Sequence, residues 1–235
     1  MADDAASNHR MNPPAGGSQF VAVDSGYRKA AHCRMCFEGD PKVNTGIIDV
    51  AQPRWVGERY WVAKPRALFI LLNPGSGESD GVEYNREARR LMHEYRDDRA
   101  TLVEVLNHQR VHMTDWGRGR FLDFYTTQLE LDLAKIAFVN LALCSSASDE
   151  HPHWMLRRCL NEHTLAIISS LRPDLAVLSG SDTHKFQSAI RARCPTARVE
   201  TMLHYANRRV AVVQAADHQR IRDVIADLRN QGPDR

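Results

Sequence analysis

The sequence lacks any hydrophobic stretch long enough to cross a lipid bilayer. Its longest apolar run, ALFILL at 67–72, is far shorter than the roughly 20 residues that a spanning helix needs. No apolar segment follows the start of the chain, so we expect no secretory signal and a cytoplasmic protein. Strong charge is also missing: the net charge of +2 neither favours nor excludes a nucleic acid partner.

A packed core is not expected at the start of the chain. Residues 1–19, MADDAASNHRMNPPAGGSQ, are small and polar, which is typical of a disordered tail. The segment 20–235 contains no internal repeat, and it is long enough to form one hydrophobic core. We therefore predict a single domain after a short tail.

Continuous apolar runs alternate with segments of helical periodicity in most of the chain. Such runs are typical of strands that are buried on both faces. The sequence predicts strands at 66–72, 135–144, 174–180, 198–203 and 209–215. A long helix is predicted at 153–171 and a terminal helix beginning near His218, whereas residues 20–66 read as irregular. This alternation predicts a three-layer α/β/α fold with a central, mostly parallel sheet.

The five cysteines do not suggest a disulfide framework in a cytoplasmic chain. Cys33 and Cys36 form a C-x-x-C pair, Cys144 ends a predicted strand, and Cys159 follows on the next helix. Cys194 stands apart. Buried free thiols, a redox pair, half of a zinc site and an iron–sulfur cluster all fit this spacing.

The first predicted strand ends in a loop of small residues. Asn73 and Pro74 are followed by Gly75, Ser76 and Gly77. Such residues suit a tight turn, and they also allow a ligand to approach the backbone closely. The sequence alone does not decide between these two uses.

Taken together, the loop, the strand ends and the cysteines resemble the uracil-DNA glycosylase superfamily, and most closely its iron–sulfur branch. That branch has an N-terminal C-x-x-C, a strand that ends in Asn-x-x-x-Cys, and a further cysteine some fourteen to seventeen residues later. The corresponding residues here are Cys33 and Cys36, Asn140 and Cys144 in NLALC, and Cys159. The resemblance implies a four-iron, four-sulfur cluster on these cysteines; zinc is the less favoured alternative.

Two motifs depart from the pattern of that branch. Leu72 occupies the place of a glutamate in the first motif, although Asn73 before Pro-Gly is similar to the mismatch-specific and single-strand-selective branches. In those branches, the asparagine positions the attacking water. The final His-Pro-Ser motif is replaced by His218 and the two residues after it, and His204 is a second candidate.

The resemblance implies roles for residues along most of the chain. Asn73 would position water, His218 would donate to the departing base, and Asn140 would pair with a pyrimidine edge. Base contacts are also expected from Leu72, Pro74, Gly75, Ser76, Tyr84 and His204. DNA contacts are expected from Gly77, Arg208, Arg209 and Arg220.

Three functions compete at this stage. The first is a monomeric glycosylase that excises uracil or a related base from single- or double-stranded DNA. The second is a member of the superfamily that binds DNA or a base without turnover. The third is an unrelated zinc-binding α/β protein.

Overall fold

The computed structural model describes residues 17–39, 48–74, 82–146, 151–206 and 211–231. Across those ranges, no helix combines the length and the apolar composition that a membrane span requires. The predicted tail lies outside the described residues, apart from 17–19, which belong to a helix.

A four-stranded parallel sheet forms the centre of the fold. Its strands are β1 (Ala67–Leu71), β2 (Ile136–Asn140), β3 (Leu175–Ser179) and β4 (Arg198–Met202), in the spatial order β2-β1-β3-β4. Every residue of β1, β2 and β3 is buried. Because consecutive side chains of a strand point to opposite faces, helices must cover both faces of this sheet. The predicted three-layer α/β/α fold is confirmed.

Ten helices surround the sheet in the described part of the chain. They are α1 (Gly17–Ala31), α2 (Met35–Gly39), α3 (Val82–Asp97), α4 (Leu102–His112), α5 (Arg120–Asp123), α6 (His153–Cys159), α7 (Leu165–Leu171), α8 (Ser181–His184), α9 (Gln187–Arg193) and α10 (Ala211–Asn230). Short 3₁₀ turns occupy Tyr60–Val62, Arg99–Thr101 and Leu133–Lys135.

Two of these helices contain π-helical turns. Phe124–Gln128 continues α5, and Leu160–Thr164 joins α6 to α7. The wider turn changes which side chains face the core, and π-helical turns are frequent at functional sites. Both turns here adjoin the carboxyl end of the sheet: Thr164 donates hydrogen bonds to the carbonyls of Asn140 and Leu141.

An extended segment covers the outer edge of β2. Val56 forms an antiparallel bridge with Ala137, and the Phe138 N–H donates to the Trp55 carbonyl at 2.8 Å. Further along, the Gln52 N–H donates to the carbonyl of Leu143 at 2.8 Å. These contacts place residue 54 opposite the C-terminal end of β2.

Two predictions of local structure are wrong. The predicted fifth strand at 209–215 does not exist within the described residues, because α10 begins at Ala211. His218 therefore lies in the body of a helix rather than at its beginning. In addition, the region predicted as irregular at 20–66 contains most of α1 and all of α2.

Candidate active site and cysteine group

Four of the five cysteines come together in the structure. Cys33 follows α1, Cys36 lies in α2, Cys144 follows β2, and Cys159 ends α6. The thiol of Cys144 hydrogen-bonds to Cys36, and both Cys159 and Cys33 are close enough to act on it electrostatically. We call these four residues the cysteine group. The four residues to which the resemblance assigns a cluster thus lie together.

The thiols of the cysteine group differ in pKa. The hydrogen bond from Cys144 lowers the pKa of Cys36 to about 7, against the effect of burial and with help from the Arg158 guanidinium. That same hydrogen bond, together with burial, raises the pKa of Cys144 well above its ordinary value. Burial raises the pKa of Cys159 to about 12.

The residues present fit an iron–sulfur cluster. The Leu143 N–H donates to the Sγ of Cys159 at 3.2 Å, and such bonds stabilise a sulfur that carries negative charge. No three His, Cys, Asp or Glu side chains in the described ranges are arranged to hold one metal ion. That finding concerns ligands that converge on a single ion, whereas each thiolate of a four-iron cluster binds a different iron.

Asn140 is the most unusual polar residue at the carboxyl end of the sheet. Its side chain is fully buried, and neither Oδ1 nor Nδ2 has a hydrogen-bond partner among the described residues. Buried amides are nearly always paired, because an unmade hydrogen bond costs about 1–3 kcal/mol. An amide left in this state is suited to receive a ligand that offers both a donor and an acceptor.

Asn73 lies close to Asn140 through the sheet register. Leu71 pairs with Asn140, and the Ala142 N–H donates to the carbonyl of Leu72 at 3.0 Å. The Nδ2 of Asn73 is also buried without a partner among the described residues. Two adjacent strands therefore end beside two side-chain amides that have unpaired polar atoms among the described residues.

Aromatic rings form a wall on the face of the sheet that carries Asn140. Phe138 shares this face with Asn140, because the two residues are two apart in one strand. The Phe138 ring lies 5.1 Å from that of Phe121, which in turn contacts Trp116 at 5.2 Å and Tyr205 at 5.2 Å between ring centroids. Such a wall can stack against a planar ligand.

Tyr84 joins the same wall from α3. Its hydroxyl accepts a hydrogen bond from the indole of Trp116 at 3.2 Å, and its ring stacks on His108 at 4.8 Å. Burial raises the pKa of Tyr84, so its hydroxyl stays protonated. The side chain predicted to contact a base is therefore fixed beside the other rings.

His204 occupies a loop position directly beyond the end of β4. The Ala206 N–H donates to its Nδ1 at 3.2 Å, so the neutral ring carries its proton on Nε2. Burial, followed by the nearby Arg120 guanidinium, lowers the pKa of His204 and keeps the ring neutral. His204 is thus a neutral Nε2–H donor at the carboxyl end of the sheet.

His218 lies in a different setting. It is buried in α10 against the ring of Phe124, at 4.8 Å between centroids, and its Nε2 has no partner among the described residues. Burial lowers the pKa of His218 as well. The motif that suggested His218 belongs at a strand end, and of the two histidines it is His204 that lies there.

Arg220 has partners within the protein. Its guanidinium pairs with Glu200 at 2.7 Å and with Asp217 at 2.5 Å, and it donates to the carbonyl of Thr201. These bonds fasten α10 to β4. Of the other predicted contacts, Gly75, Ser76, Gly77, Arg208 and Arg209 lie outside the described residues.

Sequence reasoning missed Arg54, Trp116 and Tyr205. Arg54 is 6% exposed, and its guanidinium lies 4.6 Å from the centroid of the Trp116 ring. Burial lowers the pKa of Arg54, and the phenols of Tyr84, Tyr205 and Tyr27 oppose that effect electrostatically. A single arginine in a segment without periodicity gave no signal of this position.

A comparison with protein-family models finds no match to this chain, and a comparison with curated proteins finds none either.

Proposed function

We propose that this protein is a DNA glycosylase that hydrolyses the N-glycosidic bond of uracil or a related base after the nucleotide is flipped out of DNA. One observation carries the proposal: a single strand end supplies both Asn140, with its unpaired amide, and Cys144 of the cysteine group. This combination is the one on which the sequence resemblance rests. The active site would lie at the carboxyl ends of β1, β2 and β4.

Asn140 would select the base. Its Oδ1 and Nδ2 would pair with the donor and the acceptor on a pyrimidine edge, and the ring would stack against the aromatic wall. Pairing satisfies both atoms of a buried amide at once, so the preference for a matching base should be strong.

Asn73 and His204 would act on the bond that breaks. The amide of Asn73 would orient a water molecule towards the sugar, which develops positive charge as the bond lengthens. The Nε2–H of His204 would donate to the base as it departs with negative charge. We assign this donor role to His204 rather than to His218, because His204 follows directly on a strand of the sheet.

The cysteine group would hold a four-iron, four-sulfur cluster through Cys33, Cys36, Cys144 and Cys159. When bound, the cluster would supply structural cross-linking between α1, α2, the end of β2 and the end of α6. A cluster of this kind belongs in a reducing cytoplasm, and none of the five cysteines forms a disulfide. Zinc is the alternative occupant, and measurement of the iron and zinc content of the purified protein distinguishes the two.

The decisive experiment is a base-excision assay. Single- and double-stranded oligonucleotides that carry one uracil, hypoxanthine or thymine mismatch are incubated with the purified chain, and abasic sites are converted to breaks with alkali. Breaks at the modified base, lost in Asn73→Ala but kept in Asn107→Ala, support the proposal. Asn107 is an exposed asparagine in α4 and serves as the matched control.

A second function is favoured by one feature. Leu72 stands where the resemblance calls for a carboxylate, so the site has one acidic group fewer than the branch it is most similar to. Retention of uracil-containing DNA in a gel-shift assay, with no abasic product, would support a binding protein without turnover and would contradict the glycosylase proposal.

A further inference from the structure

Arg54 reaches the candidate active site from outside the sheet. Its segment runs antiparallel to β2, and the contacts to Phe138 and Leu143 place it opposite the strand end that carries Asn140. The side chain lies over Trp116, which packs on Phe121 and so belongs to the aromatic wall. Arg54 therefore lies at the edge of the sheet beside the end of β2, in contact with the aromatic wall.

Among the residues that the structure describes, no acidic side chain pairs with the guanidinium of Arg54. None of the ion pairs formed by the described residues includes it, and its Nε is buried without a hydrogen-bond acceptor. The titratable side chains that act on it electrostatically are the phenols of Tyr84, Tyr205 and Tyr27. Asp24 is the one deeply buried acid among the described residues, and it already pairs with Tyr95 and Arg99.

Such an arrangement is costly for a protein that has no ligand. Removal of a charged group from water is costly, and a cation–π contact with one indole offsets only part of that cost. Structural arginines at this depth are normally paired with carboxylates. A bound anion that donated two oxygens to the planar fork would remove the deficit.

We propose that Arg54, with Trp116, Tyr84 and Tyr205 around it, forms a subsite for a phosphate group of the ligand. Arg54 would bind two phosphate oxygens through its fork, and the tyrosine hydroxyls would donate to the remaining oxygens. The subsite deepens the proposed function, on which its assignment to a flipped nucleotide rests. The same chemistry could also hold a phosphate that is free or terminal, and the experiment separates the two sources.

Calorimetric titration of the full chain tests the subsite. The probes are inorganic phosphate, thymidine 5′-monophosphate, thymidine, and a short single-stranded oligonucleotide, all at constant ionic strength. We expect the phosphate-bearing probes to bind and thymidine to bind at least about tenfold more weakly. Arg54→Met should weaken binding of the phosphate-bearing probes by roughly 10- to 100-fold, as expected for loss of a charge-assisted hydrogen bond.

Two further variants keep the result interpretable. Arg54→Lys keeps the charge but loses the fork, and should bind phosphate more weakly than the native chain but better than Arg54→Met. Arg86→Met removes an exposed arginine from α3 and should change nothing. Circular dichroism and thermal unfolding without phosphate check the fold; Arg54→Met should unfold at the same temperature as the native chain or higher, since a buried charge is gone.

The sources of phosphate give different patterns. If the oligonucleotide binds more tightly than inorganic phosphate, and both depend on Arg54, the subsite belongs to DNA. If inorganic phosphate or the mononucleotide binds as tightly as the oligonucleotide or more tightly, the subsite holds a free or terminal phosphate. Equal phosphate binding by the native chain and Arg54→Met, or no phosphate binding by either, overturns the subsite. Because binding needs no base excision, an Arg54-dependent site in a chain that releases no base would support the subsite and contradict the glycosylase proposal.

Discussion

Among single residues, Asn140 has the clearest conflict between stability and function. Its two unpaired amide atoms are buried in the folded protein without a ligand. Asn140→Leu, which has a similar volume, should raise the free energy of unfolding by about 1–2 kcal/mol, because it removes the cost of burying an unpaired amide. The same change should abolish base excision. Thermal unfolding and the oligonucleotide assay measure the two effects.

Asn107→Leu is the control for this substitution, because that side chain is exposed in the middle of α4. It should leave both activity and stability nearly unchanged. A loss of stability in Asn140→Leu would mean that the amide is paired in solution, and the role assigned to Asn140 would then be wrong.

The two histidines can be separated by matched substitutions. His204→Gln should lower kcat by about 100-fold, within the range for loss of a donor to a developing anion, with little change in KM. His218→Gln should lower it far less, because His218 packs on Phe124 within α10. Steady-state kinetics on the best oligonucleotide measures both. The reverse order would restore His218 as the donor.

At the scale of single residues, the sequence marks side chains that follow buried strands. Asn73 and Asn140 could be found because each lies directly after an apolar run, and the carboxyl ends of parallel strands meet at one edge. Arg54 could not be found, because its importance depends on its contact with Trp116, which lies 62 positions further along the chain. No local pattern encodes that contact.

Among the elements, the turn between α4 and α5 controls the position of one wall residue. Gly117 has φ +58°, and a Cβ there would lie 2.5 Å from the ring of Tyr205. Gly119 has φ +79°, and a Cβ there would meet no atom closer than 3.5 Å. Gly117→Ala and Gly119→Ala should each cost about 1 kcal/mol of stability from backbone strain.

These two variants should differ in function. Gly117→Ala should also weaken oligonucleotide binding, because Tyr205 must move away from Phe121, whereas Gly119→Ala should bind as tightly as the native chain. Fluorescence anisotropy with a labelled oligonucleotide measures the difference. Equal affinities would show that the position of Tyr205 is irrelevant to the ligand.

The amino ends of β1 and β3 are tied by one ion pair. The backbone N–H and the guanidinium of Arg66 both donate to Asp174, at 2.8 to 3.1 Å. Burial alone would raise the pKa of Asp174, but these hydrogen bonds outweigh it and lower the pKa below its ordinary value. Since the folded pKa is depressed, the stabilisation is complete above about pH 4 and is lost as the pH falls through the folded pKa.

Asp174→Asn should therefore cost about 1 kcal/mol at pH 7, a modest value because both side chains are partly exposed. The difference from the native chain should shrink between pH 4 and pH 2. Urea unfolding at several pH values measures it. A difference that stays constant over this range would exclude a contribution from the charge of Asp174.

The wrongly predicted strand at 209–215 shows how local preference is overridden. The branched residues Val210, Val212 and Val213 favour a strand. The buried positions of α10 that follow, His218, Ile221 and Val224–Ile225, have helical spacing instead. A helix that buries this stripe gains more from packing than a short strand gains from propensity.

For the whole molecule, the cysteine group links parts of the chain that are distant in sequence. Cys36→Ala should remove the broad visible absorbance and most of the iron, about four atoms per chain, and should lower the unfolding temperature. Cys194→Ala is the control, because Cys194 is buried away from the group. It should keep both colour and iron. A colourless native protein with one zinc per chain would contradict the cluster.

The overall fold was predictable because three of the four strands are almost entirely apolar and the helices alternate with them. The cysteine group was expected for another reason: the spacing left several kinds of site open, and the resemblance to the iron–sulfur branch selected these four residues. Neither the apolar runs nor the cysteines predict the segment at the edge of the sheet. The antiparallel segment beside β2 has no regular pattern of its own, and the contacts that hold it are made by its backbone.

The stacking of Arg54 on Trp116 gives the protein an intrinsic optical probe. Indole emission is sensitive to a nearby cation, and this one lies 4.6 Å from the ring. The chain has four tryptophans, so a difference spectrum against Trp116→Phe isolates the relevant signal. Neutralisation of the guanidinium by an incoming ligand would shift that emission, so occupancy can be followed in real time without any label.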